Sequence, residues 1–431
     1  MAKNANNKVS IWQSLHNAWK VQDIRKKLIY TFLMLILFRL VGVIPAPGVD
    51  YVRVKSAMSG SNLPLLDLVN MMTGSNFSNM TIMAMGITPY INSSIIMQLL
   101  TIAIPALERL SKSGPDGQKK IASITRYVTI VLAVIQAIGL VYSLGYIKSG
   151  WFNTVLVGVS MAAGTALAMW IGERITANGL GNGVSLLIFA GIISNLFNGF
   201  TSLIANAFSA TSLTPWLTLL AVLLFALVMI VVVTFVDMGV RRIQVQYAKR
   251  VTGRKMYGGQ SSILPLKVCS VGVMPLIFAY SFMAFPSTLI QLFGGSESGL
   301  GLWWSRYMNY YSPLYMIVTA LLIIAFTYFY TSISFQPDEM AKNIQQQGGV
   351  IPHVRPGKPT ADFLARTNNR LTLFAALFLA VLATLPNLFT VGLQTSVPFA
   401  ASSLLIAVSV VLETKRQLDD LLVSRNYDTL T

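Results

Sequence analysis

Apolar positions in this chain gather in unbroken runs close to the length of about 20 residues that a helix needs to cross a hydrocarbon core. Such runs lie at Leu28 to Ile44, Ser78 to Ile104, Tyr127 to Leu144, Val155 to Ile171, Val184 to Leu203, Pro215 to Val236, Val268 to Phe293, Leu314 to Phe335, Leu371 to Val391 and Val397 to Leu412. They predict ten membrane helices, and an even number puts both chain ends on one side. Two shorter segments follow other patterns. Ser10 to Lys20 sets Ile11, Leu15 and Trp19 on one helical face, which suits an interfacial helix or a solvated tail. "PLLDLVNMMTG", Pro64 to Gly74, opens on a first-turn proline and closes on a terminating glycine. At about 1.5 Å per residue it spans about 15 Å, so it either lies on the membrane surface or folds back into the protein.

The second run is the most polar. "MGITPYINSSIIMQLL", Met85 to Leu100, carries Pro89, Tyr90, Asn92, Ser93, Ser94 and Gln98. At about 100° per residue, Ile87, Ile91, Ser94 and Gln98 fall within about 40° of one another. One stripe is thus apolar at its outer end and polar at its inner end. Pro89 predicts a break near Met85. Polar groups at bilayer depth face protein or water, so the stripe serves either a water-lined path or interhelical hydrogen bonding.

Composition agrees: of 431 residues 54% are hydrophobic and 11% charged, against roughly 25% charged in soluble domains. The net charge of +17 becomes informative once it is placed. Among 32 Lys+Arg, only Arg53, Lys55, Lys148 and Arg306 fall in loops on one side, and Arg39 lies inside a span. All the others collect on the side that holds both termini and the loops 237–267 and 336–370. By the positive-inside rule that side is the cytoplasm. No signal-peptide pattern opens the chain, so no processing is expected. Cys269 is the single cysteine, and His16 and His353 stand far apart, which disfavours disulfide and metal chemistry.

Enzymatic motifs are equally sparse. In "GKPT", Gly357 to Thr360, proline follows the lysine and the upstream glycine spacing of a phosphate loop is absent. "NGLGNG", Asn178 to Gly183, sits between two spans and reads as a hairpin turn. Arg39 lies past the middle of an outward-running span, so an outer-side or interhelical contact is expected of it. Trp303, Trp304, Tyr307, Tyr310 and Tyr311 fit an aromatic anchor at the outer interface. "RRIQVQYAKRVTGRK" contains Arg241, Arg242, Lys249, Arg250, Arg254 and Lys255 and no acid. It predicts a projecting hairpin that meets an acidic protein or RNA phosphates. Arg355, Lys358, Arg366 and Arg370 extend that charge in the next cytoplasmic loop. Plain topology determinants account for its sign, though not for the length of the loops.

The stretches "GITPYINSSIIMQLL", "SGPDGQKKIASITRY", "GNGVSLLIFAGII", "RRIQVQYAKR", "LPLKV", "GVMPLIFA", "IPHVRPGKPTADFL" and "SSLLIAVSVVLETKRQLDDLLVSRNYD" resemble, in order, the SecY family. Its members are channel subunits of the bacterial general protein-translocation complex. The resemblance implies an all-α polytopic fold with ten transmembrane helices in two inverted five-helix halves around an hourglass pore. The domains would be a cytoplasmic amphipathic segment 1–27, halves 28–204 and 205–412, and a cytoplasmic tail 413–431. It implies a pore ring of Ile87, Ile91, Ile188, Ile192, Ile277 and Ile406, and a re-entrant plug containing Leu65, Leu66, Asp67, Leu68, Val69, Asn70, Met71 and Met72.

It further implies a lateral gate that includes Asn92, Ser94, Gln98, Cys269 and Phe285, through which signal sequences and membrane segments of nascent chains pass into lipid. The basic loops, with Arg355 and Lys358, would dock a SecA-type ATPase and, through rRNA, the ribosome. Small SecE-type and SecG-type membrane subunits would accompany the chain in the bacterial plasma membrane. No cofactor and no enzymatic activity are implied. Two departures touch the gate: Cys269 stands where the family usually has asparagine, and "FAASSLL", Phe399 to Leu405, replaces a more glycine-rich stretch. The other classes that fit inverted repeats and broken helices are a secondary transporter, which needs coordinating groups at mid-membrane, and an intramembrane enzyme, which needs a nucleophile, base or metal set.

Overall fold

A computed structural model describes residues 19–49, 76, 79–144, 151–209, 214–247, 250–252, 255–257, 261–269, 272, 274–292, 299–308, 312–393 and 401–428. Within them run α1 (Gln22–Val41), α2 (Thr88–Ala103), α3 (Pro105–Lys112), α4 (Pro115–Leu144), α5 (Trp151–Asn178), α6 (Gly183–Ser209) and α7 (Thr214–Asp237). There follow β1 (Val240–Tyr247), β2 (Arg250–Thr252), β3 (Lys255–Tyr257), β4 (Ser261–Lys267), α8 (Met274–Leu292) and α9 (Gly299–Tyr307). The chain continues through α10 (Pro313–Ser334), α11 (Pro337–Gln346), β5 (Gly349–Val350), α12 (Lys358–Leu393) and α13 (Ala401–Asp428). Each of the ten predicted spans overlaps one helix. Among the described residues six helices are long and apolar enough to cross a membrane, or seven when the bent pair α2 and α3 counts as one span. α1, which overlaps the first predicted span, carries Arg25, Lys26, Lys27 and Arg39, and α13 ends in a charged stretch.

The chain divides into two compact units, one made of 1–215, 284–306 and 406–431, the other of 216–283 and 307–405. In the first, α4 packs on α5, α2 on α4, α5 on α6, and α1 on both α5 and α6. α5 is the central helix, and it buries Gly158, Ala162, Gly164, Thr165, Ala168 and Gly172. Small side chains let backbones approach closely where hydrophobic burial alone cannot drive helices together. A Cβ at Gly164 would stand 2.1 Å from the carbonyl oxygen of Ile82. Below these helices Ile24, Leu180 and Leu418 are buried together, and they join α1, the α5–α6 turn and α13.

In the second unit α10 packs on α12, and Phe278 and Phe282 of α8 meet Phe326 edge-on at 6.0 and 6.1 Å. The predicted hairpin exists as β1 paired antiparallel with β4, from Val240↔Lys267 to Gln246↔Ser261. The sequence reading did not foresee its third strand. β5, from the 336–370 loop, pairs with β1 at Gln246↔Val350 and Tyr247↔Gly349. The sheet order is therefore β4-β1-β5. Ile243, Val245, Leu266, Ile344, Ile351 and Leu364 form its buried core.

Gly164→Ala should force the Ile82 backbone to move and cost about 1–3 kcal/mol, as overpacking does. A lower thermal midpoint of the purified protein checks this against Gly299→Ala, where a Cβ meets nothing within 4 Å and no change is expected.

Candidate functional site

The second predicted span is not one helix. α2 starts at Thr88 with Pro89 in its first turn, so the break expected near Met85 is a true helix start. Its 16 residues reach about 24 Å, short of a bilayer core of about 30 Å. At Ala103 it ends in a 102° bend into α3. The stretch before it is irregular yet buried, with Met80, Met83 and Ala84 at 0% exposure. Its backbone is satisfied within the protein: Ala46 N–H donates to Met80 O at 3.0 Å and Ile82 N–H to Ile44 O at 2.9 Å. Gly86, at φ +52°, makes the turn that hands the chain to Ile87.

Ile87 caps α2, and Ile91 N–H donates to its carbonyl at 3.1 Å. Both side chains are buried, as are Ile188 and Ile192 one turn apart on α6 and Ile406 on α13. Ile277, in the other unit, is half-buried beside Phe278, which packs into the aromatic cluster with α10. Asn92 and Ser94 are half-buried, Gln98 is exposed, and Asn92 Oδ1 has no partner among the described residues. Cys269 lies in the turn before α8, its thiol aimed at Gly272 O at 3.9 Å, and Phe285 lies within α8. Leu65 to Met72, expected to form the plug, and most of the Ser10 to Lys20 segment lie outside the described residues. So do Tyr310 and Tyr311, whereas Trp303 and Tyr307 are exposed on α9.

Two side chains contribute that the sequence reading left without a role or a partner. Ser93 is fully buried, and its hydroxyl donates to Pro89 O at 2.8 Å, a back-bond that bends helices. The signal for it is the Pro89 and Ser93 spacing of four. Arg39 makes the interhelical contact expected of it: its Nη2 donates to the backbone oxygen of Ala190 on α6, halfway between Ile188 and Ile192. Nothing in the sequence named that acceptor, because a backbone carbonyl inside a helix carries no residue signature.

The glycine-rich 178–183 turn binds its own N–H groups. Leu180 N–H donates to Thr31 Oγ1 at 2.9 Å and Gly183 N–H to Thr176 Oγ1 at 2.9 Å. Asn182 Oδ1 accepts from Val184 and Ser185 at 3.1 and 3.3 Å, and Gly181 sits at φ +83°. The hairpin reading holds, and these donors have no need of an anion.

On the basic loops, Arg241 and Arg242 pair across the root of the hairpin with Leu266 and Pro265. Arg250 and Lys255 belong to the separate β2–β3 ribbon, while Lys249 and Arg254 lie outside the described residues. Arg355 is exposed, and its carbonyl accepts from Thr360 Oγ1 at 2.8 Å. Lys358 opens α12. The hairpin and the 336–370 loop, read separately in the sequence, meet in one platform. On α3, the Lys112 ammonium at 2.7 Å holds the exposed Glu108 carboxyl below its ordinary range.

The sequence model of the SecY family matches residues 81–415. The protein translocase subunit SecY of Streptomyces scabiei is 41% identical over 433 residues, covering 95% of this chain and 98% of that protein. The subunit of the same name from Bacillus licheniformis is 41% identical over 430 residues, covering 97% and 99%. Among solved structures, one described as a protein conducting channel superposes with a TM-score of 0.69 at 20% identity, covering 92% of each chain. A SecY structure concerned with the plug domain and the membrane seal gives 0.66 at 19% identity, with 92% of each chain covered. Sec61 in a canine ribosome-channel complex gives 0.64 at 17% identity, with the same coverage.

Arg39→Met should remove a charge-assisted bond worth about 1.5–3 kcal/mol and leave the Ala190 carbonyl to its helical partner alone. The thermal midpoint in detergent is expected to fall, with partial recovery in Arg39→Lys.

Proposed function

The chain belongs to the SecY family of protein translocase subunits, a channel subunit rather than an enzyme, and from that premise we propose how it seals, opens and docks. The coarse function is that of the family: a multi-pass membrane protein of the translocase, with the fold of a protein-conducting channel. In the proposed resting state the seal is the ring of Ile87, Ile91, Ile188, Ile192, Ile277 and Ile406, backed from outside by the Pro64 to Gly74 plug. An apolar, β-branched constriction dewets, so ions meet a barrier while an unfolded chain of any sequence passes without specific hydrogen bonds. The observation that carries this reading is the identity of the six positions, every one isoleucine and two pairs spaced by four.

The lateral gate would include Asn92, Ser94 and Gln98 on α2 together with Cys269 and Phe285, and it would part when an apolar segment replaces the polar contacts that hold it shut. The orphaned Asn92 Oδ1 fits a polar group whose partner belongs to a moving seam. Both termini and the basic platform are assigned to the cytoplasm and the protein to the bacterial plasma membrane, on the loop charge. The platform would receive a SecA-type ATPase or a ribosome, with Arg250, Lys255, Arg355 and Lys358 as contacts. SecE-type and SecG-type subunits would complete the complex.

Ile277→Asn and Ile406→Asn are each expected to raise the resting ion conductance of reconstituted channels several-fold and to relax signal-sequence selection. Unchanged conductance together with unchanged export of signal-defective clients would sink the ring. Arg355→Glu should leave insertion and thermal stability intact while ATPase-driven export falls; normal export by the well-inserted variant would remove Arg355 from the docking surface.

A further inference from the structure

The "GKPT" stretch, Gly357 to Thr360, is no phosphate loop, yet its last residue makes a specific contact. Thr360 stands in the first turn of α12 and is only 3% exposed. Its hydroxyl donates to the carbonyl oxygen of Arg355 at 2.8 Å. Three other threonine hydroxyls of α12 bond back within their own helix, Thr367 to Phe363 O at 2.8 Å, Thr372 to Asn368 O at 2.9 Å and Thr384 to Ala380 O at 3.1 Å. Thr360 instead reaches out of α12, past Gly357, to the loop that precedes it.

That loop carries Arg355 and is fixed at both ends. At the first end Ile351 belongs to the buried core of the platform and Val354 packs against that core. Val354 N–H also donates to Ile351 O at 3.1 Å. At the second end Thr360 and Ala361 N–H donate to Gly357 O at 3.1 and 3.2 Å, and Gly357 turns the chain into α12 at φ +96°. Between them His353 sits at φ +65°, a conformation that a residue with a side chain keeps only where its surroundings enforce it. Pro352, Pro356 and Pro359 fix three more φ angles. The side chains of His353, Arg355 and Lys358 are nevertheless exposed. The backbone is held while the basic groups it carries face outward.

We propose that the Thr360 hydroxyl is the clasp of this loop, a positioning residue that presents Arg355 to the docked partner in one prearranged orientation. A loose loop has to be ordered when the partner arrives, and that ordering cost is subtracted from the affinity. A buried hydroxyl bonded to the Arg355 carbonyl removes the cost in advance. The proposal rests on the docking role given to Arg355 above.

The test uses the full chain, purified with its co-purifying subunits and titrated with a SecA-type ATPase from the same organism. Thr360→Val keeps the side-chain volume and deletes the hydroxyl, whereas Thr360→Ser keeps the hydroxyl and deletes the methyl group. The valine variant is expected to bind the ATPase about fivefold more weakly or worse, the loss that one positioning hydrogen bond accounts for, with the thermal midpoint unmoved. The serine variant should recover most of the affinity. A packing role would sort the two variants in the opposite order, and that result would overturn the proposal. A spin label on Arg355→Cys, in a Cys269→Ser background, reads the loop without any partner. It should gain mobility in Thr360→Val and keep its restraint in Thr360→Ser; unchanged mobility in the valine variant would also overturn the proposal. Arg355→Glu separates the two levels. If it weakens binding and Thr360→Val does not, the docking role stands and the clasp falls; if neither weakens binding, the docking role fails and the clasp fails with it.

Discussion

A helix that begins inside a membrane leaves its first N–H groups without intrahelical acceptors, and hydrocarbon supplies none. α2 begins at Thr88 in the middle of a predicted span, and the first unit is arranged around meeting that demand. Proline at the second helical position removes one donor outright. The turns before it bond among themselves, Ala84 to Thr81 and Gly86 to Met83. The neighbouring strand-like segment after α1 bonds to them through Ile44 and Ala46. None of this is possible unless α5 comes close enough to shield the segment from lipid, which is why position 164 has no side chain.

The same demand appears inverted at Arg39. A half-buried guanidinium needs acceptors, and at bilayer depth the accessible ones are backbone oxygens and polar side chains. By using Ala190 O, Arg39 gives the α6 backbone a fixed point between Ile188 and Ile192. Interhelical position there depends on a directional bond as well as on packing.

Much of this was legible in the sequence, and for physical reasons. Spans of uniform hydropathy and loops of one charge sign report the bilayer directly, so each predicted span overlaps a helix. The hairpin signal in "RRIQVQY" was equally direct, since Ile243, Val245 and Tyr247 alternate there with Arg242, Gln244 and Gln246. What escaped were contacts made by backbone: the Ile82 carbonyl over Gly164, the Ala190 carbonyl under Arg39, and the pairing of β5. A two-residue strand, Gly349–Val350, has no periodicity to read. The small-residue face of α5 was visible as "GVSMAAGTALAMWIG", but composition alone does not say which neighbour comes close.

The β1–β5 pairing has a consequence for synthesis. Tyr247 and Gln347 stand 100 residues apart, and chain elongation at about 5–20 residues per second separates the emergence of β1 from that of β5 by roughly 5–20 s. For that interval the hairpin offers an unpaired edge to other chains in its vicinity, the circumstance in which strands pair wrongly. Arg241, Arg242, Gln244 and Gln246 face solvent along β1. Their charge and polarity guard the nascent edge until its own third strand arrives.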